Sequence, residues 1–396
     1  MTSEWKTYSV QELIDAGMLE EPMDGNHGGI HPKTSDYVSS GVPFIMANNL
    51  INGKVDYKNC AFISERQAAT LRKGFSHPGD VLLTHKATIG RTAIVSDEYE
   101  TIILTPQVTY YRVKEGISSR YLKYYFDSPT FQQTFSNWAG SGSTRAYLGI
   151  TAQRKLPIIL PSYETQLKIA ECCGVLDEKI YINEQINDNL QQQVQAVYQQ
   201  WFYISGQKGE CGILADICDY SKDKIAAADL SLSTYYSTEN MLSGKNGAVD
   251  ALSLPSIAQT TKCKAGDILI SNIRPYFKKI VYCHSECGCS TDVLCFTPKI
   301  PELSAYLYSI LYADRFFDFM VAGSKGTKMP RGDKQQIMTY PLSIPSNDEL
   351  CRFNAIAIPV LSHIERNRIE NTRLSSLRDA LLPKLMSGEI DVSNIQ

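Results

Sequence analysis

No stretch of this chain approaches the ~18 consecutive apolar residues that would span a bilayer. Met1 to Val10 also lacks the basic-then-apolar layout of a secretory leader. A cytoplasmic protein is expected, with its 11 cysteines held as reduced thiols. Missing too is any excess of positive charge. The 39 Lys and Arg against 42 Asp and Glu leave a net −3, which is not the basic footprint of an ordinary nucleic-acid binder. The signatures of catalysis are absent as well. No GxxxxGK(S/T) phosphate loop occurs, since Gly244-Lys245-Asn246 has neither the spacing nor the hydroxyl. No GxGxxG follows a strand-like run, so a Rossmann pocket for a dinucleotide or S-adenosylmethionine is not expected. The Asn/Asp-Pro-Pro-aromatic tetrapeptide with which amino-methyltransferases hold a flipped base is missing. The pairs Asp97-Glu98 and Asp177-Glu178 have no His or Lys pattern beside them and read as solvated charges. Cys283 to Cys289, with Cys295 beyond, is rich in soft ligands but lacks the paired C-x2-C spacing of a zinc site. It reads as a set of plain thiols. No cofactor and no catalytic residue is expected.

What is present is a repetition. Gly79-Asp80-Val81-Leu82-Leu83, Tyr121-Leu122, Gly140 to Arg145 and Pro157 to Ser162 recur about 184 residues later. The second set is Gly266-Asp267-Ile268-Leu269-Ile270, Tyr306-Leu307, Gly323 to Lys328 and Pro341 to Ser346. Each copy carries short β-rich runs punctuated by Gly, Pro, Asn and Asp. In the first these are Val81-Leu82-Leu83-Thr84, Thr92 to Val95 and Val108 to Tyr111. A helix is expected over Ser119 to Trp138, with Tyr121, Leu122, Tyr125, Phe126 and Phe131 as its core stripe.

Each copy is followed by a long polar helix. The first runs from about Glu164 to Trp201, with Leu176, Ile180, Leu190, Val194, Val197 and Trp201 spaced by threes and fours, and Asn183 and Asn187 filling the remaining places. That is a coiled-coil seam, too narrow to stabilise a lone helix. The partner is in the same chain: Val360, Ile364, Leu374, Leu381 and Leu385, with Asn367 and Asn371 in the matching places. A polar residue on a seam costs stability and fixes register. The expected register set is therefore Ile180, Asn183, Asn187 and Leu190 against Ile364, Asn367, Asn371 and Leu374. Pro359 is expected to kink or begin the second helix. At 1.5 Å per residue the first seam makes a rod of roughly 39 Å, close to the ~34–36 Å between half-sites one turn of B-DNA apart.

The remaining signal is binding chemistry on matched loops. After its Gly-Asp-Val/Ile-Leu strand each copy places hydrogen-bonding and basic side chains. These are Thr84, His85, Lys86, Thr88 and Arg91 in the first, and Ser271, Asn272, Arg274, Tyr276 and Lys278 in the second. A second basic loop follows in each: Thr144, Arg145 and Tyr147, then Lys325, Thr327, Lys328 and Arg331. Asn48 and Asn49 join the first set. Arg and Lys suit guanine edges or phosphates, and Asn suits adenine, so double-stranded DNA is the expected ligand.

These residues bring the chain to a known family. It resembles, over essentially its whole length, the DNA-specificity subunit of type I restriction-modification systems. The resemblance is carried by Gly79 to Arg91, Leu104 to Tyr110, Pro161 to Gln166 running into Ile169-Ala170 and Leu176 to Ile180, and Leu382 to Ile390. It departs in the second copy, which has Asn347-Asp348-Glu349-Leu350 in place of the Glu164-Thr165-Gln166 box.

The resemblance implies an α+β chain. Two mixed, β-rich target-recognition domains, residues 1–162 and 205–346, would be joined by two conserved-region helices, 163–204 and 347–396 with its tail. The helices would form an antiparallel coiled coil. It implies a non-catalytic subunit that reads a bipartite, asymmetric DNA target, one part per domain, and docks two methyltransferase subunits. S-adenosylmethionine would belong to those subunits, and ATP to the restriction subunits with their motor and nuclease. The clamping subunits would also answer the charge objection by supplying most of the attraction to the DNA backbone. The competing expectation is a non-enzymatic coiled-coil scaffold that binds proteins without DNA specificity, for which the 23 Tyr speak.

Overall fold

The computed structural model describes residues 5–140, 146–204 and 210–392. It divides into two compact units, residues 1–180 with 372–396, and residues 181–371. The fold is α+β in each.

In the first unit a six-stranded sheet runs Met23–Asp24, Val108–Tyr111, Val81–Lys86, Thr88–Ile94, Gly53–Val55, Leu50–Ile51. Its pairing is antiparallel except between Thr88–Ile94 and Gly53–Val55. A five-stranded sheet runs Tyr37–Val38, Ala61–Ile63, Val42–Ile45, Ile102–Leu104, Phe75–Ser76. The strand Val81–Lys86 shows why the sequence folds this way. Val81 and Leu83 join Tyr111 in the cluster packed under the helices, while Leu82 joins Ala93, Val108 and Tyr110 on the opposite face. A strand covered on both sides needs apolar residues at every position, and this one has them.

The single helix expected over Ser119 to Trp138 is two, Ser119–Asp127 and Pro129–Trp138. Pro129 forces Ser128 into extended backbone (ψ 141°), and the Ser128 hydroxyl then caps Phe131 N. The stripe survives the break: Tyr121, Leu122, Tyr125, Phe126 and Phe131 are all buried.

The second unit repeats the plan with fewer strands. One sheet runs Cys218–Tyr220, Val293–Pro298, Ile268–Ser271, Ile280–Tyr282, all antiparallel. The other runs Lys224–Ala226, Gln259–Cys263, Cys287–Cys289, Tyr235–Tyr236. In both units the first strand pairs antiparallel with the last: Lys6–Ser9 with Pro157–Leu160, and Glu210–Ile213 with Pro341–Ile344.

The long helices are Tyr163–Tyr198, continued in wider turns to Ile204, and Asn347–Met386. Within the second unit they run antiparallel. Asn183 Nδ2 donates to Asn371 Oδ1 at 2.8 Å and to Glu370 Oε2 at 2.8 Å. Asn367 Nδ2 donates to Asn187 Oδ1 at 2.8 Å, and Asn187 Nδ2 donates to the Ile364 carbonyl at 3.3 Å. Leu190 and Ile364 pack into the same core. Within the first unit Ile180 and Leu374 are half-buried. There Arg378 Nη1 meets Asp177 Oδ1 at 2.6 Å, and Tyr124 donates to Asp177 Oδ2 at 2.7 Å. Asp177 was read as a solvated charge; it is instead enclosed. Burial alone would raise its pKa, but Lys123, Arg378 and the Tyr124 hydroxyl outweigh that and hold it below the ordinary carboxylate value.

Pro359 does not begin the second helix, which starts at Asn347 and runs through it. The proline lies on the exposed face, where the carbonyl it leaves unbonded can meet water. Phe353, Ala357, Leu361 and Ile364 meanwhile anchor the buried face. The departure at the Glu-Thr-Gln box also has a physical form. Gln166 is buried, accepting from Ser118 N at 3.0 Å and donating to the Gly116 and Pro161 carbonyls at 3.1 Å each. Its counterpart Leu350 fills the corresponding place with apolar contact in the second core.

Candidate nucleic-acid interface

In the first unit the strands Val81–Lys86 and Thr88–Ile94 meet at a one-residue tip, Ala87, whose φ is +65°. Ala87 N donates to the Ala146 carbonyl at 3.0 Å, Leu148 N donates to the His85 carbonyl at 3.0 Å, and Lys86 bridges Tyr147. In the second unit the corresponding residue, Arg274, has φ +50°. Arg274 N donates to the Pro330 carbonyl at 2.8 Å, Gly332 N donates to the Asn272 carbonyl at 3.3 Å, and Ile273 bridges Arg331. The same main-chain bonds thus recur at matching positions. They bring together, within each unit, the two loops that the sequence offered separately.

The side chains presented on this frame differ. In the first unit Lys86, Thr88 and Arg91 are exposed, and Tyr147 is exposed with Lys86 Nζ 5.9 Å from its ring centre. Asn48 is exposed also. In the second unit Tyr276, Lys325, Thr327, Lys328 and Arg331 are exposed, and Arg274 and Lys278 are half-buried. Several of these cations already have anionic neighbours. Lys278 pairs with Asp314 at 2.7 Å, Lys325 with Asp333 at 2.6 Å, and Arg331 with Asp292 at 3.0 Å. Thr144 and Arg145 lie outside the described residues.

Five expected contact residues are instead buried: Thr84, His85 and Ser271 because their strands extend further than the apolar runs, Asn272 just beyond its strand, and Asn49 in the short turn Ala47–Asn49. Asn49 is buried, accepting from Met46 N at 2.9 Å and donating to the Asn59 carbonyl at 3.3 Å. Thr84 is buried and accepts from Arg91 N at 2.9 Å. His85 is fully buried, with Nδ1 3.1 Å from the Leu148 carbonyl. A carbonyl only accepts, so Nδ1 carries the proton and Nε2 is bare, 3.9 Å from Asp24 Oδ2. Burial lowers the His85 pKa, an effect that the Asp24 charge and the Leu148 bond only partly oppose. Ser271 is buried and donates to the Ile273 carbonyl at 3.2 Å. Asn272 is buried, its main chain bonded to Asp292 and Gly332.

The sequence reading also passed over residues that the fold places beside these. Asp24 is buried and takes bonds from His27 Nε2 at 2.8 Å and from Lys73, which offset its burial and lower its pKa. His27 is half exposed at the rim of this group. The run Asp24-Gly25-Asn26-His27-Gly28-Gly29, turn residues around an acid and an imidazole, was the available signal. Phe277, exposed next to Tyr276, was missed within Arg274-Pro275-Tyr276-Phe277-Lys278-Lys279, where aromatics stand between bases.

Cys263, Cys283, Cys287, Cys289 and Cys295 pack together in an apolar cluster with Leu269, Val281 and Val293, and all are free thiols. Among the described residues no group of three His, Cys, Asp or Glu is arranged to hold a metal ion. Among them, too, no helix is long and apolar enough to cross a membrane.

Comparison with known proteins points one way. Residues 2–192 match the family described as the type I restriction modification DNA specificity domain. The MjaIX specificity subunit of a type I restriction enzyme from Methanocaldococcus jannaschii is 22% identical, over 98% of this chain and 95% of its own length. The HindI specificity subunit from Haemophilus influenzae is 25% identical over 50% of this chain and 41% of that protein. Among solved structures, the S subunit of a type I restriction-modification system from M. genitalium superposes with a TM-score of 0.56 at 14% identity. That match covers 97% of this chain and 96% of the other.

Proposed function

Because the chain belongs to the family of type I restriction-modification specificity subunits, we propose that it reads a bipartite, asymmetric DNA target. One part falls to each of the two recognition domains, 1–162 and 205–346, and a gap of fixed length separates the parts. The observation that carries this reading is the duplicated main-chain frame, Ala87 on Ala146 and Arg274 on Pro330, which presents different side chains in the two units. A shared frame suits a shared way of meeting the duplex, and divergent side chains suit two different half-sites. In the first unit the readers are Asn48, Lys86, Thr88, Arg91 and Tyr147. In the second they are Arg274, Tyr276, Lys278, Lys325, Thr327, Lys328 and Arg331.

The chain performs no chemistry of its own in this reading and works in the cytoplasm. Two methyltransferase subunits dock on it and carry S-adenosylmethionine, and restriction subunits carry ATP. With a net charge of −3, the isolated chain binds weakly and salt-sensitively, and the assembled complex binds tightly.

The test is selection from a random duplex library by the full chain, alone and with the methyltransferase subunits. The expected product is a two-part consensus. Arg91→Ala relaxes positions only in one part and Arg331→Ala only in the other, by about 1–3 kcal/mol at a bidentate guanine. Failure to enrich any sequence with the partners present would sink the proposal and leave the protein-binding scaffold.

A further inference from the structure

The loop that joins Ile268–Ser271 to Ile280–Tyr282 is built unlike its counterpart in the first unit. It leaves the strand through Arg274 at φ +50°, makes one tight turn over Pro275–Phe277, and re-enters through Lys278 at φ +52°. Two non-glycine residues in the left-handed region, which side chains disfavour, flank three residues. The loop is pinned from several sides. Phe277 N donates to the Arg274 carbonyl and Lys278 N to the Pro275 carbonyl, both at 2.9 Å. Lys245 N donates to the Lys278 carbonyl at 2.9 Å, and Asp314 gathers both ammonium groups, from Lys245 at 2.8 Å and Lys278 at 2.7 Å. Pro275 is buried beneath. All this holds outward two aromatic rings, Tyr276 and Phe277, 49% and 39% exposed, with centroids 4.8 Å apart.

An apolar pair displayed on a strained, anchored loop is not explained by the unit's own packing. We propose that Tyr276 and Phe277 form a wedge that enters a base step of duplex DNA in the second half-site and partly unstacks it. The inference rests on the DNA-reading function proposed above and adds a mode of recognition to it. Two features select a nucleic acid over an apolar protein surface. The wedge stands between Arg274 and Lys278 and beside the return loop of Lys325, Lys328 and Arg331, which its backbone joins at Pro330. Cations around an apolar tip suit a polyanion whose interior offers flat apolar faces. The geometry is also fixed beforehand, so little freedom is lost on insertion. The first unit, whose tip is Lys86-Ala87-Thr88, has no such pair, and its half-site stays stacked at this position.

The experiment uses the full chain assembled with the methyltransferase subunits and the duplex that library selection defines. 2-Aminopurine is placed at each position of the second half-site in turn. One position is expected to brighten on binding. Tyr276→Ala and Phe277→Ala should each weaken specific binding about tenfold to a hundredfold and abolish the brightening. First-half-site preference and the urea unfolding midpoint should not change. Phe277→Leu, which keeps the bulk without the ring, should lose most of the effect. A mismatch at the brightening step should recover affinity in the alanine variants. Quenching that persists everywhere, or variants that bind within twofold of the parent, overturn the wedge while DNA reading stands. Brightening that survives Phe277→Ala assigns the opening to another group and also overturns it. If selection yields no consensus, DNA reading itself has failed, before any fluorescent duplex is made.

Discussion

Leucine in place of Asn187, of Asn367 and of both together tests whether the polar rungs of the coil work as pairs. Asn367 is 7% exposed, and its amide donates to Asn187 across the seam at 2.8 Å. Asn187 also donates to the Ile364 carbonyl at 3.3 Å. Asn187→Leu strands the Asn367 amide against an aliphatic side chain, at about 1–3 kcal/mol for the unsatisfied group. Better helix propensity and added apolar area return about 0.5 kcal/mol. Each single variant should therefore lose about 1–2 kcal/mol. In the double variant no polar group is stranded on the seam and two leucines meet, so its stability should equal or exceed the parent. The coupling across the cycle is then at least about 2 kcal/mol, a value from which propensity cancels. Urea unfolding of the full chain, followed by tryptophan emission, to which Trp201 beside the seam contributes with Trp5 and Trp138, and by far-UV dichroism, reads these differences. With m near 2–3 kcal/mol/M the single variants should move the midpoint by about 0.5 M. Additive leucine effects, with coupling below about 0.5 kcal/mol, would refute the pairing and with it the register argument. The stable double variant should meanwhile lose the fixed spacing between target parts, because leucine seams tolerate slippage that buried amides forbid.

Two further outcomes are specific to the units. Gln166→Leu should destabilise the first unit by about 3 kcal/mol, because Ser118 N and the Gly116 and Pro161 carbonyls lose their partner. The reciprocal Leu350→Gln should destabilise the second by burying an amide with no site prepared for it, and thermal unfolding of either variant within 1 °C of the parent would contradict this. The second unit should also weaken in acid through His284, whose pKa is pulled down to about 4 by burial, with Arg368 adding to it. Between the ordinary ~6.5 and about 4 the unfolded chain holds a proton that the folded chain refuses. Stability therefore falls as pH drops through that window, by at most about 3 kcal/mol and less for a ring 25% exposed. Glu365, raised by burial, has the opposite slope and stands 3.9 Å from the ring, so the difference between the parent and His284→Gln reads the imidazole together with its effect on that carboxyl. Parallel stability profiles from pH 7 to 4 would exclude it.

The architecture was largely legible because its signals are periodic and doubled. The seam spacing with Asn at matched places leads directly to Asn183 on Asn371 and Asn187 on Asn367. The contact residues were less legible, for a reason visible in Val81–Lys86 and Ile268–Ser271. Both strands are covered on two faces, so no alternation marks where burial ends. His85 and Ser271 read as loop and are sheet, and Thr84, which closes the β-rich run, is buried there and not presented for contact. Asn272 follows its strand yet stays inside, held by the return loop. Asn49 was misread because an amide serves a turn as readily as a base edge. Local rules also lost to burial at Pro359, which the helix carries on its exposed side. At Ser128-Pro129 the local rule won, and the aromatic stripe continued across the break.

The two tips show how one frame can serve two targets. The bonds that seat them run between main-chain groups, and these are the same whatever side chains the residues carry. His85 can become Asn272, Lys86 can become Ile273 and Tyr147 can become Arg331 without loss of a single rung. The requirement that remains is conformational: the tip residue must accept positive φ, where glycine would be cheapest. Neither unit uses glycine there. Ala87 and Arg274 accept the strain, and with it a tip that cannot sample the wide range open to glycine. A reader whose discrimination rests on where a few side chains stand gains more from a stiff tip than it loses in stability. Ala87→Gly should accordingly leave the first unit folded and blur its half-site, a result that no purely structural role for the tip would give.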